Sequence, residues 1–159
     1  MDEMKVVFLD FDGPIIPMAS HEAGRKLLEK AWHPCIAALN RITDTTGAKI
    51  VLSTSWRWPS SNGPQASELL KIWGATAEVI GATPILESAW KPGSVSWTGV
   101  PRGREIAAWL GSNKVDSFVI IDDDKDMVHL MQFLIHTPFE VGLTEADADR
   151  AIQMLTVLP

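Results

Sequence analysis

The sequence predicts an α/β fold in three layers, a mostly parallel central sheet with helices on both faces. Three observations predict it. Apolar runs of strand length, Lys5–Leu9, Lys49–Leu52 and Ser117–Ile121, alternate with helix-periodic segments, the order of β-α-β units. The runs are continuous rather than alternating, as in strands covered on both faces. Each run ends directly in a polar cluster: Asp10-Phe11-Asp12, Ser53-Thr54-Ser55 and Asp122-Asp123-Asp124.

Taken in order, the Lys5–Leu9 strand leads into GPIIPMASHEAG, a loop with two prolines, and then a polar helical stretch is expected over Arg25–Ala31. Pro34 suits the first turn of a new helix, with Ile36, Leu39 and Ile42 along one side and Gly47 at its stop. After the Lys49–Leu52 strand, a polar loop over Pro59–Pro64 precedes a helix over Gln65–Trp73 and a short strand over Ala77–Ile80. Residues 81–101 hold three prolines, three glycines and two tryptophans, which predicts a long loop. Pro101 opens a helix whose inner stripe is Ile106, Trp109 and Leu110 and whose end is Gly111. Another strand is expected over Gln132–His136. Thr144 with Asp147 three residues on forms a capping-box pattern, and Ala148, Ala151, Ile152 and Leu155 give the last helix its apolar face.

The 159 residues make one domain, with no repeat, low-complexity tract or linker. Hydrophobic residues are 46% and charged residues 21%, ordinary for a soluble globular chain. A single cysteine, Cys35, excludes an internal disulfide framework and is expected to be a small buried residue rather than a nucleophile. The acidic N-terminus does not read as a signal peptide, no stretch reaches the ~20 apolar residues of a membrane span, and a cytoplasmic location is expected. A net charge of −6 argues against broad attraction to a nucleic-acid backbone, leaving recognition of a single phosphorylated end. His21, His33, His129 and His136 show no metal-ligand spacing.

In an open α/β sheet the ligand crevice lies outside the carboxyl ends of the strands, so the three polar clusters should converge there. Two carboxylates at Asp10 and Asp12 repel unless a positive group lies between them. Asp10 can act as a nucleophile, Asp12 can protonate a leaving oxygen and later activate water, and Mg²⁺ suits an oxygen-only site. Gly13 permits a sharp turn close to a phosphate. Taken singly, the clusters have plainer readings: strand-end turn chemistry for Ser53–Ser55, a solvated loop for Asp122–Asp126. A calcium loop fails because Met127 stands where the turn glycine belongs and Phe133 where the closing glutamate belongs.

Residues 6–15, 50–57, 102–110 and 118–126 resemble the four motifs of the haloacid dehalogenase (HAD) superfamily. VLSTSWR, PRGREIAAWL, FVIIDDDKDM and VGLTEADADRAI are similar to the small HAD domains of Swiss Army Knife RNA repair proteins. The resemblance implies a Rossmann-like HAD fold without a large cap, a flap over about 13–33 and a small insert over about 81–101. It implies a Mg²⁺-dependent phosphomonoester hydrolase working through an aspartyl-phosphate. Asp10 would be the nucleophile and Asp12 the acid/base, with Asp10, Asp12 (through its carbonyl), Asp122 and Asp123 holding the metal and Asp126 in support. Thr54 would donate to the phosphoryl group, with Ser53 and Ser55 as rivals, and Arg102 or Arg104 would offset phosphate charge. On the residues themselves, Gly13 can come close to a phosphate, Trp56, Trp90 or Trp97 could stack on a base, and Arg57 and Lys91 could contact phosphate; the plainer readings are loop packing for the tryptophans and surface or structural pairs for Arg57 and Lys91.

The chain departs from the family at Pro14, where threonine is usual, and in having arginine for the third-motif lysine. An open site suits a phosphate on a large molecule, an RNA or DNA end, with RNA-repair enzymes as partners, no membrane, and a monomer or homodimer as the assembly. The competing readings are a catalytically idle metal-binding module, a nucleotide or small-metabolite phosphatase, and a receiver-type domain. The last is disfavoured because receivers place their acidic pair early and one aspartate in the middle.

Overall fold

The computed structural model describes residues 3–57, 63–86 and 100–157; Trp58, Trp90, Lys91, Trp97 and most of the 81–101 loop lie outside them. Five strands form one all-parallel sheet in the order β3-β2-β1-β4-β5: β1 Lys5–Leu9, β2 Lys49–Leu52, β3 Val79–Ala82, β4 Ser117–Asp122 and β5 Leu134–His136. β1 is central, and Val6, Val7, Phe8 and Leu9 are fully buried. Each such side chain contributes about 1.5–3 kcal/mol by leaving water.

Alternation along the strands divides the core between two faces. Val7, Leu9, Ile50, Leu52, Val119, Ile121 and Ile135 pack with helices α2 (His33–Thr46), α3 (Ala66–Ile72) and α5 (Glu145–Thr156). Val6, Phe8, Val51, Ile120 and Leu134 meet Ile106 of α4 (Arg102–Gly111) together with Met127 and Leu130. This is the expected three-layer α/β architecture, and among the described residues no cap domain stands on it.

Local signals explain the helix bounds. Pro34 lies in the first turn of α2, and Gly47 closes it in the left-handed region at φ 75°. The Thr144–Asp147 capping box is made in both directions at the start of α5. Three expectations shift. The segment expected as a helix over Arg25–Ala31 is one 3₁₀ turn, Leu27–Glu29, preceded by a short helix α1 (Met18–Glu22). Leu27 and Leu28 are exposed, so there is no apolar face to hold a helix, and the Trp73 indole fixes the Leu27 carbonyl instead (2.9 Å). β3 begins at Val79 rather than Ala77, beside an irregularity in its pairing with β2. β5 begins at Leu134 rather than Gln132, because Val128–Phe133 wind into a 3₁₀ turn that stacks Phe133 on Phe118 (4.3 Å between centroids).

Candidate active site

Register builds the site. Leu9 pairs with Leu52 and with Ile121, so the next residues, Ser53, Asp10 and Asp122, stand in one row across β2, β1 and β4. The ladder continues into this row: Ser53 N–H donates to Leu9 O (2.9 Å) and Asp10 N–H to Ile121 O (3.1 Å). By alternation the row belongs to the face that carries α4. His136, paired with Asp122, extends the row, and its Nε2 lies 2.9 Å from the Asp123 carbonyl.

Carboxylate oxygens of Asp10, Asp122 and Asp123 lie within 4.8 Å of one another. Asp10 is 9% exposed and Asp122 2%. Asp10 Oδ1 accepts from Phe11 N–H (2.9 Å), and Oδ2 has no hydrogen-bond partner among the described residues. Asp122 Oδ1 accepts from Asp124 N–H (3.0 Å). Gly13, at φ 103°, faces Asp123; a Cβ there would stand 2.7 Å from Asp123 Cβ and Cγ. Only a glycine lets the loop and the acidic cluster approach so closely.

The electrostatics match the crowding. Burial, then the charges of Asp122 and Asp123, push Asp10 up to about 9, against the opposing pull of Arg102 and the Phe11 N–H. Burial raises Asp122 to about 7, with Asp123 adding to it while the Asp124 N–H and Arg102 oppose. Asp124 is raised by its burial and by Asp123 and Asp126. Such groups become fully ionised when a cation joins them. An all-oxygen set of three carboxylates fits a hard divalent ion such as Mg²⁺.

The other expected residues have separate places. The Asp12 carboxylate is not in the cluster; its Oδ2 accepts from the Trp56 indole N–H at 2.7 Å. Trp56 in turn packs against Phe11 and Trp73, with centroids 6.0 and 5.8 Å away. Its indole is thus engaged in orienting Asp12 and in packing. Ser53 Oγ is buried without a partner among the described residues. Thr54 Oγ1 accepts from Trp56 N–H (3.2 Å), and Ser55 is exposed. Arg102 is the basic residue whose charge acts on Asp10, Asp122 and Asp124, whereas Arg104 is exposed. Asp126 holds the start of α4, its Oδ2 accepting from Arg102 N–H (2.9 Å) and its carbonyl from Gly103 N–H (3.0 Å). Arg57 is committed to protein: Nη1 donates to Thr54 O (2.7 Å), Nε to Thr83 O (3.1 Å) and Nη2 to Glu105 Oε1 (2.7 Å). Cys35 is buried and its thiol is pushed up to about 11, chiefly by burial.

Two residues escaped the sequence reading. Glu105 is a buried carboxylate between Arg57 and Arg102, and its signal was the Arg102–Glu105 spacing of three on one helix. Gly103 lets α4 meet the loop after β4; a Cβ there would fall 2.1 Å from Met127 O. Its signal was a helix-weakening residue in a first turn.

No curated protein and no solved structure matches the chain. The model of one family does match, over residues 6–148, and it covers the strand-end row, α4 and the start of α5. The chain therefore belongs to the family described as the HAD domain in Swiss Army Knife RNA repair proteins.

Proposed function

We propose that this domain is a Mg²⁺-dependent phosphomonoesterase acting through an aspartyl-phosphate on Asp10, with phosphorylated RNA or DNA ends as its substrates. The observation that carries the reading is the close approach of the Asp10, Asp122 and Asp123 carboxylates with Arg102 as the neighbouring cation. Those three carboxylates would hold Mg²⁺, which when bound supplies positive charge against the phosphoryl oxygens and keeps Asp10 ionised. Asp10 Oδ2 attacks phosphorus while the ester P–O bond breaks. Asp12, held by the Trp56 indole, gives its proton to the departing oxygen. Asp12 then takes a proton from water as that water attacks the aspartyl-phosphate, releasing inorganic phosphate and restoring Asp10.

Among the neighbouring hydroxyls, Ser53 suits donation to the phosphoryl group better than Thr54. It stands in the row of Asp10, and its Oγ has no partner among the described residues. Arg102 offsets phosphate charge. The family's RNA-repair setting and the half-buried Asp12 favour a bulky, externally presented phosphate over an enclosed metabolite. A chain with one buried cysteine suits a reducing, cytoplasmic setting beside other RNA-repair enzymes.

A panel of 3′- and 5′-phosphorylated oligonucleotides, free nucleotides and sugar phosphates, with and without Mg²⁺, tests the substrate class. Acid-labile phosphate on Asp10 is expected, and Asp10→Asn should reduce turnover to background. Full activity in Asp10→Asn refutes the mechanism. A preference for free nucleotides refutes the nucleic-acid end alone.

A further inference from the structure

Glu105 sits on α4 one turn into the helix, with its side chain only 6% exposed. Oε1 accepts from Arg57 Nη2 at 2.7 Å and from Arg102 Nη1 at 3.1 Å; Oε2 accepts from Leu86 N–H at 3.0 Å. Arg57 is itself 4% exposed and tied to the Thr54 and Thr83 carbonyls, at the ends of β2 and β3. A carboxylate fixed at both oxygens and braced by an immobile guanidinium cannot swing. The least enclosed member of the trio is Arg102, whose side chain is 21% exposed. Glu105 engages its Nη1, and the other guanidinium nitrogens have no bond to protein among the described residues.

We infer that Glu105, braced by Arg57, is the positioning residue that aims Arg102 at the phosphoryl site; this rests on the function proposed above. Without the bracket, Arg102 would be a long surface chain with many rotamers, and ordering it would fall to the substrate. Electrostatics work in the same direction. Arg57 is lowered by its burial and by the nearness of Arg102, so the two cations oppose each other and Glu105 is what allows both to stay. Glu105 touches no reacting atom. Its contribution to phosphate binding passes through Arg102, which makes the two residues non-additive in that readout, while its bonds to Arg57 and Leu86 N–H show in the thermal midpoint.

The test is a double-mutant cycle on the full chain with Glu105→Gln and Arg102→Ala. The readouts are kcat/KM on a phosphorylated oligonucleotide, the affinity for inorganic phosphate by calorimetry, and the thermal midpoint. In the wild-type background Glu105→Gln should lower kcat/KM by up to about a hundredfold and weaken phosphate binding. In the Arg102→Ala background its further effect on both should be under about twofold. Equal losses in both backgrounds, or none in wild type, overturn the inference. Glu105→Asp keeps the charge beside Arg57 but draws it back by one methylene, and it carries the same cycle where Gln fails to fold. If wild type shows no Mg²⁺-dependent hydrolysis, the proposed function falls, and the phosphate-binding cycle by itself decides the role of Glu105.

Discussion

Ser53 and Thr54 are adjacent and both buried, yet their hydroxyls differ in kind. Thr54 Oγ1 accepts from the Trp56 backbone and keeps its own proton, while Ser53 Oγ has no partner among the described residues. A buried hydroxyl without a protein partner keeps its proton available for a ligand, and Ser53 is the one that stands in the row of Asp10. Ser53→Ala is therefore expected to lower kcat by about a hundredfold without lowering the thermal midpoint. Thr54→Val should cost less turnover; the reverse order in steady-state kinetics would transfer the donor role to Thr54. The family resemblance put Thr54 first with Ser53 and Ser55 as rivals; the sequence has no means to rank them, because the ranking depends on strand register to a single residue, and register is set by the partners of β2. Arg57 shows the same limit. A strand-end arginine reads both as a phosphate contact and as the plainer structural pair, and its three protein acceptors favour the second.

At the level of elements, the start of α4 carries more of the site than its composition suggests. Asp126 satisfies two N–H groups there, and Gly103 lets the turn press against Met127. Gly103→Ala would drive a Cβ into a backbone carbonyl, so a loss of about 1–3 kcal/mol or more is expected, together with lower turnover as Arg102 is displaced. Thr144→Ala is the control. It breaks the capping box of α5 for about 1 kcal/mol and should leave kcat/KM unchanged. Denaturant melts with parallel kinetics separate the two. Helices with caps and an apolar stripe, α2 and α5, were legible from sequence almost to the residue. The Arg25–Ala31 stretch was not, since its helical composition had no apolar face to bury and Trp73 claims its backbone.

For the whole molecule, the acidic cluster links stability to pH and to metal. Asp10 rises from an ordinary 3.8 to about 9 and Asp122 to about 7 in the metal-free protein. A carboxyl raised on folding costs nothing below its unfolded value, and its cost grows as pH climbs towards the folded value. Asp10→Asn removes that cost. In a chelator it should match wild type near pH 4 and become the more stable protein as pH rises towards about 9, by at most about 1.4 kcal/mol per pH unit. Saturating Mg²⁺ should stabilise wild type and reverse the difference, since a ligand bound only to the folded state adds to its stability. Thermal melts across that range check it; a difference independent of pH would contradict the crowding of these carboxylates.

From the sequence alone came the layered α/β class, the strand-end placement of the aspartates and the family likeness. These depend on local properties: apolar run length, caps, and the rule that parallel strands expose their carboxyl ends together. Tertiary structure decided which neighbours share a row, that the Asp12 carboxylate turns to Trp56 rather than to the acidic cluster, and that Arg102 rather than Arg104 faces it. It also buried Glu105 between two arginines. Those outcomes depend on distances between segments far apart in the chain, and no local pattern encodes a distance.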